Sequence, residues 1–193
     1  MAEATRAGRK PRADALRNRA HILEIAEAVF SEEGVTRSMD TIAKRAGVGP
    51  GTLYRHFPSR DALLAELLRS RDDTLQARRD VIEGRHFDSA AALEQWLDAL
   101  GEWASAFDGL PDPLREALQE KTSPLALTCR GFITTTDDFL AAAQRDGTAR
   151  PDVRGRELFL AVLATVWVSS AAMADASSAT GLRTLLRSGW ATG

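Results

Sequence analysis

The stretch MDTIAKRAGVGPGTLYRHFPSRDALL at positions 39–64 decides how this chain folds. Ser38 precedes it as a helix N-cap, and Gly47 ends the first short helix. Pro50 suits the first turn of a second short helix, which ends before Pro58. In a helix-turn-helix the second of two such helices enters the major groove of DNA. Glycine turns also join short packed helices in all-α proteins that do not bind DNA. The pattern alone therefore leaves open both a DNA-binding helix-turn-helix and a turn with only a packing role.

Helical periodicity continues on both sides of this stretch. Upstream, apolar residues recur at steps of three and four over residues 13–33, and Gly34 supplies the stop. Downstream, Ser59 caps a helix expected to reach about Gly84, and further amphipathic segments follow as far as Trp190. The sequence shows neither strand alternation nor an internal repeat, so the predicted fold class is all α.

The composition excludes several classes of protein. A chain of 193 residues that is 44% hydrophobic and 27% charged is not disordered as a whole. Its single cysteine, Cys129, forms no internal disulfide and favours a reducing compartment. The first residues lack the apolar stretch of a signal peptide, and the uncharged run 158–174 is at the short limit for a membrane span. We therefore expect a cytoplasmic protein with no membrane partner.

Charge is unevenly distributed along the chain. Residues 1–60 hold 11 Lys and Arg against 7 Asp and Glu, a local net charge of +4, whereas the whole chain has a net charge of −2. One interpretation is an N-terminal part that faces nucleic acid, and the other is a solvated basic tail. Six cations have the composition of a basic arm that could follow DNA: Arg6, Arg9, Lys10, Arg12, Arg17 and Arg19.

The stretch 39–64 resembles the N-terminal domain of the TetR family of bacterial transcription regulators. The resemblance covers about residues 15–70 and includes the strings AVFSEEG, IAKRAGV and GTLYRHF. It implies a one-component repressor with an N-terminal helix-turn-helix three-helix domain and a C-terminal helical domain that dimerises and binds a small effector. The expected organisation is a basic mobile tail at 1–12, the DNA-binding domain at 13–58 and the ligand-binding and dimerisation domain at 59–193.

The residues expected to contact double-stranded operator DNA lie on the two short helices and at the start of the fourth. Pro50 or the Thr52 methyl can touch a thymine methyl, and the Tyr54 hydroxyl suits a phosphate. Arg60 stands where the family commonly has a lysine, and either cation can meet a phosphate. The predicted set is Ser38, Thr41, Lys44, Pro50, Gly51, Thr52, Tyr54, Arg55, His56 and Arg60.

Some residues of this region have structural interpretations as well. Leu53 and Phe57 lie four apart and are expected to be core residues that hold the recognition helix. His56 could cap a helix end or face solvent. Lys44 and Arg45 close the preceding helix, where cations are favoured by the helix dipole, so stability alone could explain one of them.

The C-terminal two thirds carry bulky aromatic residues among the predicted helices. We expect a pocket among them for a small, apolar effector, although each could be ordinary core. The predicted ligand-binding residues are Trp96, Trp103, Phe107, Phe132, Phe139 and Trp167.

The segment 154–174 is apolar on nearly every side, which predicts two burial partners. One is the protomer's own core, and the other is the same helix of a second copy. With residues 182–190, this predicts a four-helix interface in a homodimer.

The sequence favours two other classes of function less strongly. An all-helical enzyme would need a clustered nucleophile, base or metal site, and the sequence shows none, so we expect no enzyme and no cofactor. The alternative is a helical ligand-binding or adaptor protein without DNA binding, against which the intact GTLYRHF string argues.

Overall fold

The computed structural model describes residues 9–85, 87–120, 122–170 and 175–192. These ranges contain helices and one isolated bridge between Ala149 and Ala191, so the predicted all-α class is confirmed. The helices are α1 (Arg9–Glu33), α2 (Met39–Arg45), α3 (Pro50–His56), α4 (Arg60–Gly84), α5 (Ser89–Ala104), α6 (Pro111–Ala117), α7 (Pro124–Arg145), α8 (Gly155–Ser170) and α9 (Ala176–Trp190).

The first three helices share one small core. Ile22 and Val29 of α1, Ile42 of α2 and Leu53 of α3 are fully buried. Helix α1 begins at Arg9 and not at the expected position 13. Pro11 is compatible with this earlier start, because a proline in the first helical turn removes no intrahelical hydrogen bond. Of the predicted tail 1–12, residues 1–8, including Arg6, lie outside the described residues.

Helix α4 runs from the N-terminal domain into the C-terminal body. The body has α5 and α7 at its centre, with α4 and α8 packed against them and α9 packed against α8. No helix in the described ranges is both long enough and apolar enough to cross a membrane.

Two helices of the body begin at residues that apolar periodicity does not mark. Pro111 is the first residue of α6, a position that proline favours. Helix α9 begins at Ala176 because the Asp175 carboxylate caps it by accepting from Ser178 N at 2.7 Å. Apolar periodicity alone missed this polar first turn. For the predicted helix 154–174, α8 covers Gly155–Ser170, and residues 171–174 lie outside the described residues.

Candidate nucleic-acid interface and cavity

The tip of α3 is an open surface. Pro50 and Gly51 are exposed and Thr52 is half-buried, and a Cβ added at Gly51 would meet no atom within 4 Å. Nearby, Ser38 Oγ caps α2 by accepting from Thr41 N at 3.1 Å, and it lies 2.9 Å from Thr41 Oγ1. Ser38, Thr41 and the predicted contacts of the α3 tip therefore lie at two successive helix N-termini.

The two adjacent cations at the end of α2 differ in their surroundings. Arg45 pairs with Glu32 at 3.0 Å and also with Glu33, whereas the exposed Lys44 has no ion pair within the described chain. Of the two residues for which the sequence left a purely structural interpretation open, Arg45 is the one with structural partners. The Lys44 ammonium is therefore available for a contact with DNA.

The remainder of α3 separates buried from exposed side chains. Leu53 and Phe57 are buried, as predicted for core residues. Tyr54 is 46% exposed and Arg55 is exposed, while His56 is half-buried with its ring centroid 6.5 Å from that of Phe57. Helix α3 therefore exposes the Tyr54 phenol and the Arg55 guanidinium, while its apolar side is buried against the protein.

Arg60 is directed toward the protein. Its Nη2 donates to the backbone carbonyls of Arg37 at 3.0 Å and Thr36 at 3.4 Å, and its Nε is buried without a partner. In this position Arg60 ties the start of α4 to the loop before α2. This structural role differs from the phosphate contact that the sequence predicts for Arg60. It could not be inferred from the position of Arg60 in the sequence.

Two cations of the predicted basic arm also have partners inside the protein. The Arg19 guanidinium lies 4.8 Å from the centroid of the Phe57 ring and pairs with Glu66 at 3.0 Å. The hydrogen bond from Arg19 lowers the pKa of Glu66. Arg17 pairs with Asp14 on the surface of α1. Arg19 therefore fastens α1 to α3 and α4.

Four of the six predicted ligand-binding aromatics pack on one another between α5 and α7. Trp96 stacks on Phe139 with centroids 5.7 Å apart, and Trp103 meets Phe132 edge-on at 4.8 Å. All four are buried, and Trp96 Nε1 donates to Thr136 Oγ1 at 2.9 Å. They form a packed aromatic core, which is the structural alternative that the sequence had left open.

One carboxylate of α4 touches this aromatic core. Trp103 Nε1 donates to Asp72 Oδ1 at 2.7 Å, which joins α5 to α4. Burial raises the pKa of Asp72 from its ordinary value of 3.8 to about 6, against the opposing effect of the Trp103 hydrogen bond. The native state therefore binds a proton at Asp72 between about pH 4 and 6, where the unfolded chain does not.

Stability should accordingly fall as the pH rises through that range, and Asp72→Asn should remove this dependence. Because a pKa moved from 3.8 to about 6 corresponds to at most about 3 kcal/mol and the carboxylate keeps some contact with water, we expect the variant to gain about 1 kcal/mol over the wild type at pH 7.5. At pH 4 the gain should vanish. Urea unfolding at both pH values measures it, with Asp80→Asn, an exposed position on the same helix, as control. An equal gain at both pH values would contradict the assignment.

A half-open cavity of about 890 Å³ lies between α5, α8 and α9. Phe107 lines it, and the other five predicted aromatics do not. Its apolar wall includes Leu97, Phe107, Val162, Val166, Leu186 and Trp190, and its polar wall includes Glu94, Asp98, Glu102, Asp108, Arg183 and Arg187. The sequence did not reveal this cavity, because its walls come from helices far apart in the chain.

The sixth predicted aromatic, Trp167, faces away from the cavity wall. It is 48% exposed and lines a smaller cleft of about 250 Å³ between α6 and α8, with Leu160 and Ala164 of α8 on one side and Pro111 of α6 on the other. On α9, Leu185 is 69% exposed and Leu182 is half-buried. The packed pair α8 and α9 therefore carries exposed or half-buried apolar side chains on both helices. We name this set the α8–α9 face and define it by Leu160, Ala164, Trp167, Leu182 and Leu185.

The single cysteine of the chain, Cys129, is buried. Burial raises the pKa of the Cys129 thiol to about 12, so this thiol is protonated at neutral pH. Among the residues that the structure describes, no three His, Cys, Asp or Glu side chains group in a way that could hold a metal ion.

Comparison with known proteins agrees with this arrangement. Residues 22–67 match the family described as bacterial regulatory proteins, tetR family, and residues 88–192 match the transcriptional regulator SbtR-like, C-terminal domain. The HTH-type transcriptional regulator UidR of Escherichia coli is 31% identical over 186 residues, covering 87% of this chain and 90% of UidR.

Solved structures share the fold. The TetR transcriptional regulator SCO0520 of Streptomyces coelicolor is 31% identical with a TM-score of 0.54, covering 91% of this chain and 99% of that one. The TetR-family repressor FadR of Thermus thermophilus, solved with lauroyl-CoA, is 20% identical with a TM-score of 0.62, covering 88% of this chain and 91% of that one. The second likeness concerns the fold alone. Family models match both halves of this chain, and UidR is similar to it over most of its length. The chain therefore belongs to the TetR family and is a DNA-binding transcription regulator.

Proposed function

We propose that the chain is a repressor that binds a palindromic operator as a homodimer and is released by a small molecule. The observation that carries the proposal is the surface of α2 and α3, where Lys44, Tyr54 and Arg55 are exposed beside the open tip at Gly51. Phosphate contacts through such donors position a protein on DNA, and a helix tip without bulk can approach base edges. An adaptor protein without DNA binding has no use for this arrangement.

The proposed dimer forms through the α8–α9 face. Trp167 and Leu185 are large apolar side chains that stand 48% and 69% exposed on neighbouring helices. Burying them against their copies about a two-fold axis makes a four-helix interface, a common solution for helical proteins. Two-fold symmetry in turn requires half-sites about one turn of DNA, ~34 to 36 Å, or a multiple of it apart.

The proposed effector site is the cavity between α5, α8 and α9. Its volume of about 890 Å³ is in the range of small-molecule sites, and it combines apolar side chains with a few polar groups. The Glu94–Arg187 ion pair at 2.9 Å crosses from α5 to α9 in its wall. An amphipathic molecule with hydrogen-bond donors suits this lining. Its binding would favour a position of α4 that separates the two recognition helices from their half-sites.

The DNA contacts can be tested by comparing neighbouring cations. Lys44→Ala should weaken binding to all DNA sequences alike and reduce the slope of log affinity against log salt by about one, because one phosphate contact is lost. Tyr54→Phe should also weaken binding. The DNA is a fragment selected from a random pool by the wild-type protein, and affinity is measured by fluorescence anisotropy at several salt concentrations.

Arg45→Ala is the matched control, since Arg45 is already neutralised by Glu32 and Glu33. Its salt slope should stay within about 0.3 of the wild type, a margin well below the single phosphate contact expected of Lys44. A larger loss from Arg45→Ala than from Lys44→Ala would overturn the assignment. Failure of the wild-type protein to select any DNA would favour the adaptor alternative.

A further inference from the structure

One short stretch belongs both to the cavity and to the surface on which the N-terminal domain rests. We name residues 105–111, which comprise the connection between α5 and α6 and the first residue of α6, the α5–α6 segment. On one side, Ser105, Phe107, Asp108 and Pro111 line the cavity. A molecule in the cavity would therefore touch this segment directly.

The other side of the segment contacts α1 and the loop that follows it. Val35 N, in the loop between α1 and α2, donates to the Asp108 carbonyl at 2.9 Å, and Val35 is 1% exposed. The Phe107 ring meets Phe30 of α1 edge-on at 6.1 Å, and the Arg71 guanidinium lies 5.3 Å from the centroid of the Phe107 ring. This contact joins the two domains without passing through the length of α4.

Each side of this contact has a glycine with a positive φ. Gly34 has φ +77°, and a Cβ there would lie 3.1 Å from the Asp108 carbonyl oxygen. Gly109 has φ +76°, and a Cβ there would be in van der Waals contact with Val35 Cγ2 at 3.4 Å, so an alanine would strain the segment through its backbone conformation. A positive φ is strained for any residue with a Cβ. The docking geometry therefore depends on glycine in both partners.

The α1–α2 loop, residues 34–38, leads directly into the helix-turn-helix. Ser38 at its end caps α2, and Arg60 at the start of α4 holds the carbonyls of Thr36 and Arg37. A displacement of the α5–α6 segment consequently reaches the start of α2 within four residues of the Val35 hydrogen bond. Packed interfaces of this kind switch between discrete arrangements and do not deform continuously.

We propose that the α5–α6 segment positions the helix-turn-helix domain and carries the effect of cavity occupancy to it through the α1–α2 loop. The segment is a second route of coupling beside a movement of α4. The part that concerns occupancy rests on the function proposed above. The positioning contact itself does not, because it can be measured without DNA or ligand.

The first arm of the test measures amide hydrogen exchange in the full-length protein. Gly34→Ala should raise the exchange rate of residues 105–111 by at least about tenfold, because its Cβ displaces the Asp108 carbonyl. The matched control is Gly47→Ala, which also puts alanine at a positive φ (+65°) but whose Cβ meets nothing within 4 Å. Equal rates in the two variants would overturn the proposal, since general loosening of the N-terminal domain would then explain both.

The second arm starts from the body. Gly109→Ala should raise exchange at residues 34–38 and lower affinity for the selected DNA fragment by at least about tenfold, although residue 109 lies outside the predicted DNA contacts. Gly147→Ala, with φ +71° and no atom within 4 Å of its Cβ, should leave both within about twofold. Circular dichroism verifies that each variant is folded, and if one of the glycine variants does not fold, the other decides. If the wild type binds no DNA, the proposed function fails while the exchange measurements still decide this inference.

Discussion

Replacing Trp167 and Leu185 together by aspartate should convert the protein to a monomer and lower its operator affinity by at least about 100-fold. Both side chains stand on the α8–α9 face and are exposed in the protomer, so the protomer itself should stay folded. In a dimer the two carboxylates would be buried without partners, which costs several kcal/mol. A monomer binds one half-site only and loses the effective concentration that links the second half-site to the first, typically a factor of 10² to 10⁴.

Light scattering and DNA binding by the same samples measure this effect. The control is Leu127→Asp, which places the same charge on α7, where Leu127 is 72% exposed and does not belong to the α8–α9 face. This variant should stay dimeric and keep its operator affinity within about twofold. A double variant that remains dimeric would show that the interface lies elsewhere.

The second large effect concerns release by the effector. A compound that releases the operator from the wild-type protein should lose its action on Val166→Trp and keep it on Phe139→Leu. Val166 lines the cavity, where an indole would occupy the ligand's space, whereas Phe139 belongs to the aromatic core that does not line it. Couplings of this kind typically change affinity 5- to 150-fold, so the loss should be of that order.

The measurement is a screen of small molecules for operator release, followed by titration of each active compound with and without operator. By thermodynamic reciprocity, operator must weaken binding of the compound by the same factor by which the compound weakens operator binding. The opposite pattern, with Phe139→Leu unresponsive and Val166→Trp responsive, would place the effector in the aromatic cluster that the sequence predicted.

The features that the sequence predicted well depend on short-range chemistry. The apolar period that buries Leu53 and Phe57 repeats within one or two turns of helix, and an N-cap such as Ser38 acts on an amide three residues away. The glycine turn before Pro50 has the same local origin. The all-α class, the helix-turn-helix and most helix ends could therefore be inferred without a structure.

Side-chain partners distant in the sequence were not predictable in this way. Arg60 and Lys44 look alike as surface cations, yet Arg60 bonds carbonyls 23 and 24 residues upstream while Lys44 has no ion pair in the described chain. Trp103 looked like a pocket residue, but a carboxylate 31 residues away, Asp72, accepts its N–H inside a packed core.

The sequence by itself determined which segments are helices, which of their faces are apolar and which family the chain resembles, because these follow from residue order within a few turns. The tertiary structure alone decided where the cavity lies and which cations have partners. It also showed that the α5–α6 segment touches the α1–α2 loop, through a hydrogen bond from Val35 to Asp108. Such contacts arise only when helices from separate parts of the chain pack together, since direction and distance between them are absent from the residue order.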